Sequence, residues 1–340
     1  MALTPNGSAA RPVMADVARL AGVSHQTVSR VLNGHPNVRP QTRAGVLAAI
    51  RELGYRRNAV ARSLVTGRTQ SLGVISFDTT LYGPASMLYG IERAAHPRYS
   101  VTITSVPTFD SRSMQAAVDR LLGQGVDGVI VIASETPAIE ALAGVRVDVP
   151  LVAVGCGTSA PLDSVAIDNI AGAFEATQYL LGLGHRTVYY VGGPDSTVDA
   201  RERADGWERA LREAGAPVPE ITHGDWSASS GYETGHRLAS MQEVTAVFCA
   251  NDQMALGLLR ALAEHGRQVP ADVSVVGFDD IPESAYFLPP LTTVRQDFGD
   301  LGRQALRLLL DRISDRQAPS ERLPLPPELV VRASTASPTS

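Results

Sequence analysis

The chain has 340 residues, of which 44% are hydrophobic, and a formal net charge of −5. That length can bury a core shared by two or three domains. No apolar run reaches the roughly 18 residues that a membrane-spanning helix needs, and the first residues lack the pattern of a secretory signal, so we expect no membrane contact and a cytoplasmic location. Cys156 and Cys249 have neither CxxC spacing nor neighbouring His ligands, which predicts buried free thiols, no metal site and no cofactor.

The charge is distributed unevenly along the chain. Residues 11–62 contain nine Arg and only two acidic residues, Asp16 and Glu52, so this segment carries +7 and the rest carries −12. A basic head on an acidic body is typical of a protein in which one module faces phosphate groups, although a solvated helix face would also be basic.

The basic head contains three predicted helices. The first follows Met14 and ends at Gly22, the second covers about residues 25–32 behind an N-cap at Ser24, and the third covers about 40–53. Their inward-facing residues are predicted to be Val17, Leu20, Ala21, Val28, Val31, Leu32, Val46, Leu47, Ile50 and Leu53. Because a tight glycine turn separates the first two helices, the pattern predicts a helix-turn-helix whose second helix enters the major groove of DNA.

The second helix has the side chains that base recognition requires. Gln26 can bind adenine through its amide, and Arg30 can bind guanine through two parallel hydrogen bonds. The hydroxyl groups of Ser24, Thr27 and Ser29 can bind phosphates and fix the register.

The stretch DVARLAGVSHQTVSRVLNG, residues 16–34, resembles the DNA-binding head of the lactose-repressor and galactose-repressor family of bacterial transcription regulators. The resemblance implies that His25, Gln26 and Arg30 read the operator. A tyrosine stands at the position of His25 in a sugar-responsive member, so the preferred operator should differ. The predicted DNA contacts in the head are Ser24, His25, Gln26, Thr27, Ser29, Arg30 and Asn33.

Residues 58–70 are predicted to form a hinge helix and linker. Asn58 can cap a short helix that has Ala61 and Leu64 on one face. A short isolated helix is marginal in water, and the resemblance implies that it forms on operator DNA, where Leu64 inserts into the minor groove. Leu64 as an ordinary packing residue is the alternative.

From residue 71 onward, short Val- and Ile-rich runs alternate with helical stretches such as 111–123, 171–182, 200–214, 230–239 and 252–265. This pattern predicts an α/β fold with parallel sheets, and its length predicts two lobes. The resemblance implies an effector domain over 71–330 that is built like a periplasmic sugar-binding protein. Lobe 1 would cover about 71–167 and 295–323, and lobe 2 about 168–294 and 324–330, with crossovers near 167, 294 and 323.

The domains are therefore predicted as a helix-turn-helix head (12–57), the hinge (58–70), the effector and dimerisation domain (71–330) and a disordered tail (331–340). That tail is short, polar and contains proline, so it offers no coiled coil for tetramers, and we expect a homodimer on a pseudo-palindromic operator.

The resemblance also implies a sugar site between the lobes. Arg203, Trp226, Asn251 and Asp279 match sugar contacts, and the ring face of Trp226 suits the C–H groups of a pyranoside. The other predicted effector residues are Gln296 and Phe298 on the crossover side, with Leu81, Pro84 and Met87 near the aglycone. Gly155 and Ile132 stand where a family member has polar residues, so lobe 1 should accept a different substituent.

Enzyme motifs are absent from the sequence: there is no phosphate-binding GxxxxGK[ST] loop, GxSxG elbow, HExxH helix or close carboxylate pair. The sequence predicts a non-enzymatic, DNA-binding repressor that a galactoside-like sugar or glycoside releases from double-stranded operator DNA. The alternative is a transport-type sugar receptor without a DNA function, which a gel-shift test would distinguish.

Overall fold

The computed structural model describes residues 12–55, 67–77, 79–108, 110–157, 162–317 and 319–338. The chain divides into two units, Met1–Thr69 and Gln70–Ser340. The α/β fold class and the N-terminal helix-turn-helix predicted from the sequence are confirmed.

The head unit consists of helices α1 (Met14–Leu20), α2 (His25–Leu32) and α3 (Pro40–Leu53). Gly54 ends α3 with φ +61°, a conformation that glycine adopts without strain. The core of the head is formed by the buried residues Val17, Ala18, Val28, Val31, Val46, Ala49 and Tyr55.

Two residues predicted for this core are instead exposed: Leu20 by 46% and Leu47 by 41%. The inward stripe of α1 runs through positions 14, 17, 18 and 21, and that of α3 through 46, 49, 50 and 53. These are the i, i+3, i+4 and i+7 positions of a helix, so Leu20 and Leu47 lie on the flanks of the two stripes.

The first lobe of the second unit is a parallel sheet covered by helices. Its strands are β1 (Ser71–Ser76), β2 (Ser100–Ser105), β3 (Gly128–Ile132), β4 (Leu151–Val154), β5 (Ser164–Ile167) and β11 (Arg322–Leu325), in the order β11-β5-β4-β3-β1-β2. Its helices are α4 (Tyr82–Ala95), α5 (Ser111–Gly123), α6 (Thr136–Ala143) and α11 (Phe298–Ser314). Helices α4 and α11 approach closely at Gly90, where a Cβ atom would lie 2.1 Å from the carbonyl oxygen of Phe298.

The second lobe has the same layered design. Its strands are β6 (Tyr189–Gly192), β7 (Thr222–His223), β8 (Ala246–Cys249), β9 (Ser274–Asp279), β10 (Thr292–Arg295) and β12 (Glu328–Val330), in the order β12-β10-β9-β8-β6-β7. All pairings are parallel except that of β12 with β10. Its helices are α7 (Asn169–Gly182), α8 (Val198–Glu213), α9 (Ala228–Ser240) and α10 (Asp252–Glu264), with a 3₁₀ turn at Ser284–Tyr286.

The chain passes between the two sheets three times: between β5 and α7, between β10 and α11, and between β11 and β12. Ligands of open parallel sheets bind at the carboxyl ends of the strands. A ligand is therefore expected to bind in the space between the lobes.

Residues 331–338, named here the C-terminal segment, are not the disordered tail that the sequence predicted. Ser334 is fully buried, accepts a hydrogen bond from Thr292 N (2.7 Å) and donates one to Val275 O (2.6 Å). Ala336 N donates to Ser274 Oγ at 3.0 Å. Polar tail residues are ordered here because the backbone groups of β9 and β10 offer them partners, which a composition-based argument does not detect.

In the part of the chain that the structure covers, no helix combines the length and apolarity needed to cross a membrane.

Candidate DNA-reading helix and effector cavity

Helix α2 presents a polar face outward and an apolar face inward. Ser24 caps the helix, because its Oγ accepts a hydrogen bond from Thr27 N at 3.1 Å. Val28 and Val31 are buried against the other two helices.

The outward face of α2 follows the helical repeat through His25, Gln26, Ser29, Arg30 and Asn33. All are exposed except Ser29, which is half-buried. Asn33 Nδ2 donates a hydrogen bond to Ser29 Oγ at 3.3 Å, so part of the hydrogen-bonding capacity of these two side chains is used between them. The three exposed side chains nearest the N-terminus of this face are His25, Gln26 and Arg30, the residues predicted to read bases.

The predicted hinge contacts Asn58, Ala61 and Leu64 lie outside the described residues.

A cavity of about 140 Å³ lies between the two lobes. Its first-lobe wall comes from the segment that leads into α4 and from the residues after β3, and its second-lobe wall comes from α8 and the carboxyl ends of β8 and β9. The lining residues are Thr80, Leu81, Tyr82, Gly83, Pro84, Ser134, Glu135, Thr197, Asp199, Arg203, Trp226, Asn251, Gln253 and Asp279.

Backbone pairing between the lobes closes one side of this cavity. Glu135 and Thr197 form an isolated antiparallel bridge. Beside it, Val198 N donates to Ser134 O at 2.9 Å and Thr136 N donates to Ser196 O at 3.1 Å. The two walls are therefore held in register at this side.

The structure brings six of the nine predicted effector residues to the cavity wall: Leu81, Pro84, Arg203, Trp226, Asn251 and Asp279. The other three lie behind it. Met87 and Phe298 are buried in the first-lobe core, and Gln296 is buried with its Nε2 2.5 Å from Asp279 Oδ1.

Met87 also explains why Gly155 has no side chain. Gly155 has φ +74°, and a Cβ atom there would lie 3.1 Å from both Met87 Sδ and Met87 Cε. An acidic side chain on this strand end would displace the methionine. The first lobe therefore places the apolar atoms of Met87 beside Gly155, where the family resemblance implies a polar residue in another member.

Arg203 is the centre of a buried polar network. Its Nε donates to Asn169 Oδ1 at 2.9 Å, and one terminal nitrogen donates to Ala250 O at 2.5 Å and to Asp279 Oδ1 at 3.4 Å. The guanidinium also lies over the ring of Phe278, 3.8 Å from its centroid. These contacts fix the guanidinium at the cavity wall.

Asn169 connects this network to two acidic side chains of α8. Its Nδ2 donates to Asp199 Oδ1 at 3.0 Å and lies 3.3 Å from Glu202 Oε2. Burial raises the pKa of Asp199 to about 6, although the charge of Arg203 acts in the opposite direction. Burial likewise raises the pKa of Asp279 to about 6, again against the effect of Arg203.

Three residues around the cavity adopt the left-handed backbone region without being glycine: Trp226 (φ +74°), Asp279 (φ +108°) and Asp280 (φ +50°). Each such conformation costs about 1–3 kcal/mol and persists only where the surroundings hold it. Asn251 supports the first of them, since its Nδ2 donates to Trp226 O at 2.9 Å. Trp226 and Asp279 are wall residues, and strained backbone at a cavity wall indicates that their side chains are positioned for a function.

Eight wall residues were not predicted from the sequence: Thr80, Tyr82, Gly83, Ser134, Glu135, Thr197, Asp199 and Gln253. A signal existed for some of them. Ser134 and Glu135 directly follow β3, and Thr197 and Asp199 begin α8 shortly after β6, which are the strand ends where parallel sheets bind ligands.

Comparison with known proteins gives matches to both units. Residues 13–58 match the model of the bacterial regulatory proteins, lacI family, and residues 177–335 match that of a periplasmic binding protein-like domain. The chain is 38% identical over 332 residues to the lactose operon repressor of Escherichia coli (strain K12), covering 96% of this chain and 91% of that protein.

Two solved structures are similar over nearly the whole chain. The lac repressor dimer bound to operator and the anti-inducer ONPF has a TM-score of 0.83 and 36% identity, covering 96% of this chain and 99% of that one. The complex of the transcriptional regulator CelR with cellobiose has a TM-score of 0.69 and 35% identity, covering 95% of this chain and 100% of that one.

Proposed function

Because the chain belongs to the lacI family of bacterial regulatory proteins, we propose that it is a repressor released from its operator by a sugar or glycoside. It is a DNA-binding transcriptional regulator and not an enzyme. The observation that carries the proposal is that one chain combines an outward polar face on α2 with a sugar-sized cavity between two lobes.

The operator is a pseudo-palindrome bound by a homodimer. One helix of eight residues reads only a half-site, and two-fold pairing of heads gives such a short contact its specificity. The similarity of the chain to the lac repressor, whose structure was solved as a dimer bound to operator, supports a homodimer. Sedimentation at micromolar concentration should give the mass of two chains, and a stable mass of four chains would contradict it.

The effector is a neutral, galactoside-like sugar. Trp226 offers a half-buried ring to the C–H face of a pyranose, and Arg203, Asn251 and Asp279 offer donors and acceptors to its hydroxyl groups. Leu81 and Pro84 give the first-lobe wall an apolar patch that suits an aglycone. The cellobiose in the similar CelR complex supports a sugar as the class of ligand.

The sugar acts on DNA binding through the hinge. Sugar binding favours one arrangement of the lobes, and an arrangement that separates the two hinges prevents the helices around Leu64 from pairing in the minor groove. The regulator acts in the cytoplasm, where its operator is. Leu64→Ala should weaken operator binding and leave sugar affinity without DNA nearly unchanged.

The test combines operator binding, measured by fluorescence anisotropy, with a panel of sugars that includes methyl β-D-galactoside, lactose and cellobiose. The parent protein should bind a promoter fragment from its own gene neighbourhood and release it with one of these sugars. Trp226→Ala should still bind the fragment without responding to sugar, while Trp226→Phe, which keeps an aromatic ring, should retain part of the response.

Each outcome decides between functions. A chain that binds sugar but no promoter DNA would be a transport-type receptor, which is the alternative raised by the effector fold. A normal sugar response in Trp226→Ala would contradict the proposal that the sugar stacks on Trp226.

A further inference from the structure

The C-terminal end of β9 has two adjacent aspartates with different surroundings: Asp279 is the last residue of the strand and Asp280 follows it. Asp279 lines the effector cavity, whereas Asp280 is held by two guanidinium groups away from the wall. Arg332 donates to Asp280 Oδ1 at 2.5 Å and Arg295 Nε donates to Asp280 Oδ2 at 2.7 Å. The side chain of Asp280 is only 8% exposed and that of Arg332 is 18% exposed, whereas that of Arg295 is 46% exposed. The ion pair with Arg332 is therefore the one that is better shielded from water.

The two arginines reach Asp280 from different parts of the chain. Arg295 ends β10, next to β9, while Arg332 belongs to the C-terminal segment. The backbone of Arg332 is fixed, because its N–H donates to Thr292 Oγ1 at 2.9 Å. Its guanidinium also donates to Leu291 O at 2.7 Å. The residue is therefore held both at its backbone and at its guanidinium, which keeps the side chain in contact with Asp280.

The two ion pairs of Asp280, with Arg295 and Arg332, are named here the Asp280 clamp, and they hold a strained piece of backbone. Asp279 and Asp280 both have positive φ values, +108° and +50°. Strained conformations persist where several independent contacts determine them, and the clamp on Asp280 is one of those contacts. If Arg332 is lost, the turn can relax, and rotation of the Asp279 backbone moves its carboxylate away from Gln296 and from the cavity wall.

We propose that Arg332 is a positioning residue of the effector cavity, so that the C-terminal segment determines where Asp279 points without touching the ligand. The proposal rests on the proposed function in that Asp279 binds the sugar. It assigns a binding role to a segment whose composition is that of an unstructured tail.

The first test measures sugar affinity by calorimetry with methyl β-D-galactoside, or the most effective sugar of the panel above. Arg332→Gln should weaken binding about tenfold, and Arg332→Lys, which keeps a charge near Asp280, should recover part of the loss. Arg316→Gln makes the same chemical change at an exposed position in the turn after α11 and should bind like the parent. Operator affinity without sugar should be the same in all of these variants.

A double-mutant cycle separates positioning from a general loss of packing. In the background of Asp279→Asn, which weakens sugar binding directly, Arg332→Gln should add less than a twofold further loss. Fully additive losses would overturn the proposal, because they would show that Arg332 acts on sugar affinity independently of Asp279.

A ligand-free measurement keeps this inference separate from the proposed function. NMR titration of the carboxyl carbons should give Asp279 a raised pKa in the parent protein and a value closer to the ordinary one in Arg332→Gln, since the relaxed carboxyl is more exposed to water. If no sugar affects the parent, the proposed function fails, while this titration still decides whether Arg332 positions Asp279.

An unchanged titration of Asp279 together with an unchanged sugar affinity would overturn the inference. If Arg332→Gln does not fold, Arg295→Gln releases the other oxygen of Asp280 and carries the same expectation for both measurements.

Discussion

Asp199→Asn should make the protein more stable at neutral pH while weakening its response to sugar. The carboxyl of Asp199 lies at the cavity wall and receives a hydrogen bond from Asn169 Nδ2. Burial raises its pKa from 3.8 to about 6, so the folded protein binds the proton more tightly than the unfolded chain does. Keeping this carboxylate ionised therefore costs stability.

The magnitude follows from the pKa values. The difference between 3.8 and about 6 corresponds to about 3 kcal/mol, at about 1.4 kcal/mol per pKa unit. The parent protein loses this stability as the pH rises from about 4 to about 6, and an asparagine does not. Asp199→Asn should then raise the free energy of unfolding by up to about 3 kcal/mol at pH 7.5, which is about 6 °C in Tm for a unit of this size.

The assay is thermal unfolding, followed by circular dichroism, at several pH values from 3.5 to 8. The gain in Tm should be largest above pH 7 and vanish near pH 4, where the carboxyl is protonated in both the folded and unfolded protein. Asp205→Asn, an exposed aspartate of the same helix, is the matched control and should change Tm little. A gain that does not depend on pH, or no gain at pH 7.5, would refute the reasoning.

Three further predictions concern the head and the cavity. Ser24→Ala removes the N-cap of α2, so amide hydrogen exchange in that helix should become about fivefold faster, equivalent to about 1 kcal/mol; unchanged exchange would show that the cap contributes nothing. His25→Tyr should change which operator variants bind best in an anisotropy panel and leave salt-sensitive, non-specific binding unchanged; uniform weakening would indicate a phosphate contact instead. Gly193→Ala should weaken sugar binding at least tenfold in calorimetry, because the new Cβ would lie 2.3 Å from ring atoms of Trp226, and a parent-like affinity would mean that the indole needs no fixed position.

The sequence alone determined the features that depend on local patterns. The N-cap at Ser24, the second head helix at 25–32 and the helix at 111–123 agree with the structure because capping residues and helical periodicity are local properties. The family resemblance extended this to the two-lobed fold, which the comparisons confirm.

Where two residues close together in the sequence both fit the local pattern, only the tertiary structure decided which of them is buried in the core or lines the cavity. Leu20 and Ala18 both fit the periodicity of α1, and only the packing of three helices against one another selects Ala18 for the core. Likewise, Asp279 and Asp280 are adjacent residues of the same type, and no local sequence pattern shows which of them lines the cavity. Their different roles depend on Arg203 and Arg332, which are distant along the chain and become neighbours only in the fold.

The same reason explains the C-terminal segment and the wall residue Asp199. The polar composition of residues 331–338 predicts disorder, but backbone groups of β9 and β10 bind Ser334, and the hydroxyl group of Ser274 in β9 accepts a hydrogen bond from Ala336 N. Among the acids of α8, Asp199 is distinguished in the sequence only by its place at the start of the helix, and it becomes a cavity residue because the helix begins at the junction of the lobes. Periodicity reports which face of an element is buried, whereas the partner that buries it is set by contacts across the whole chain.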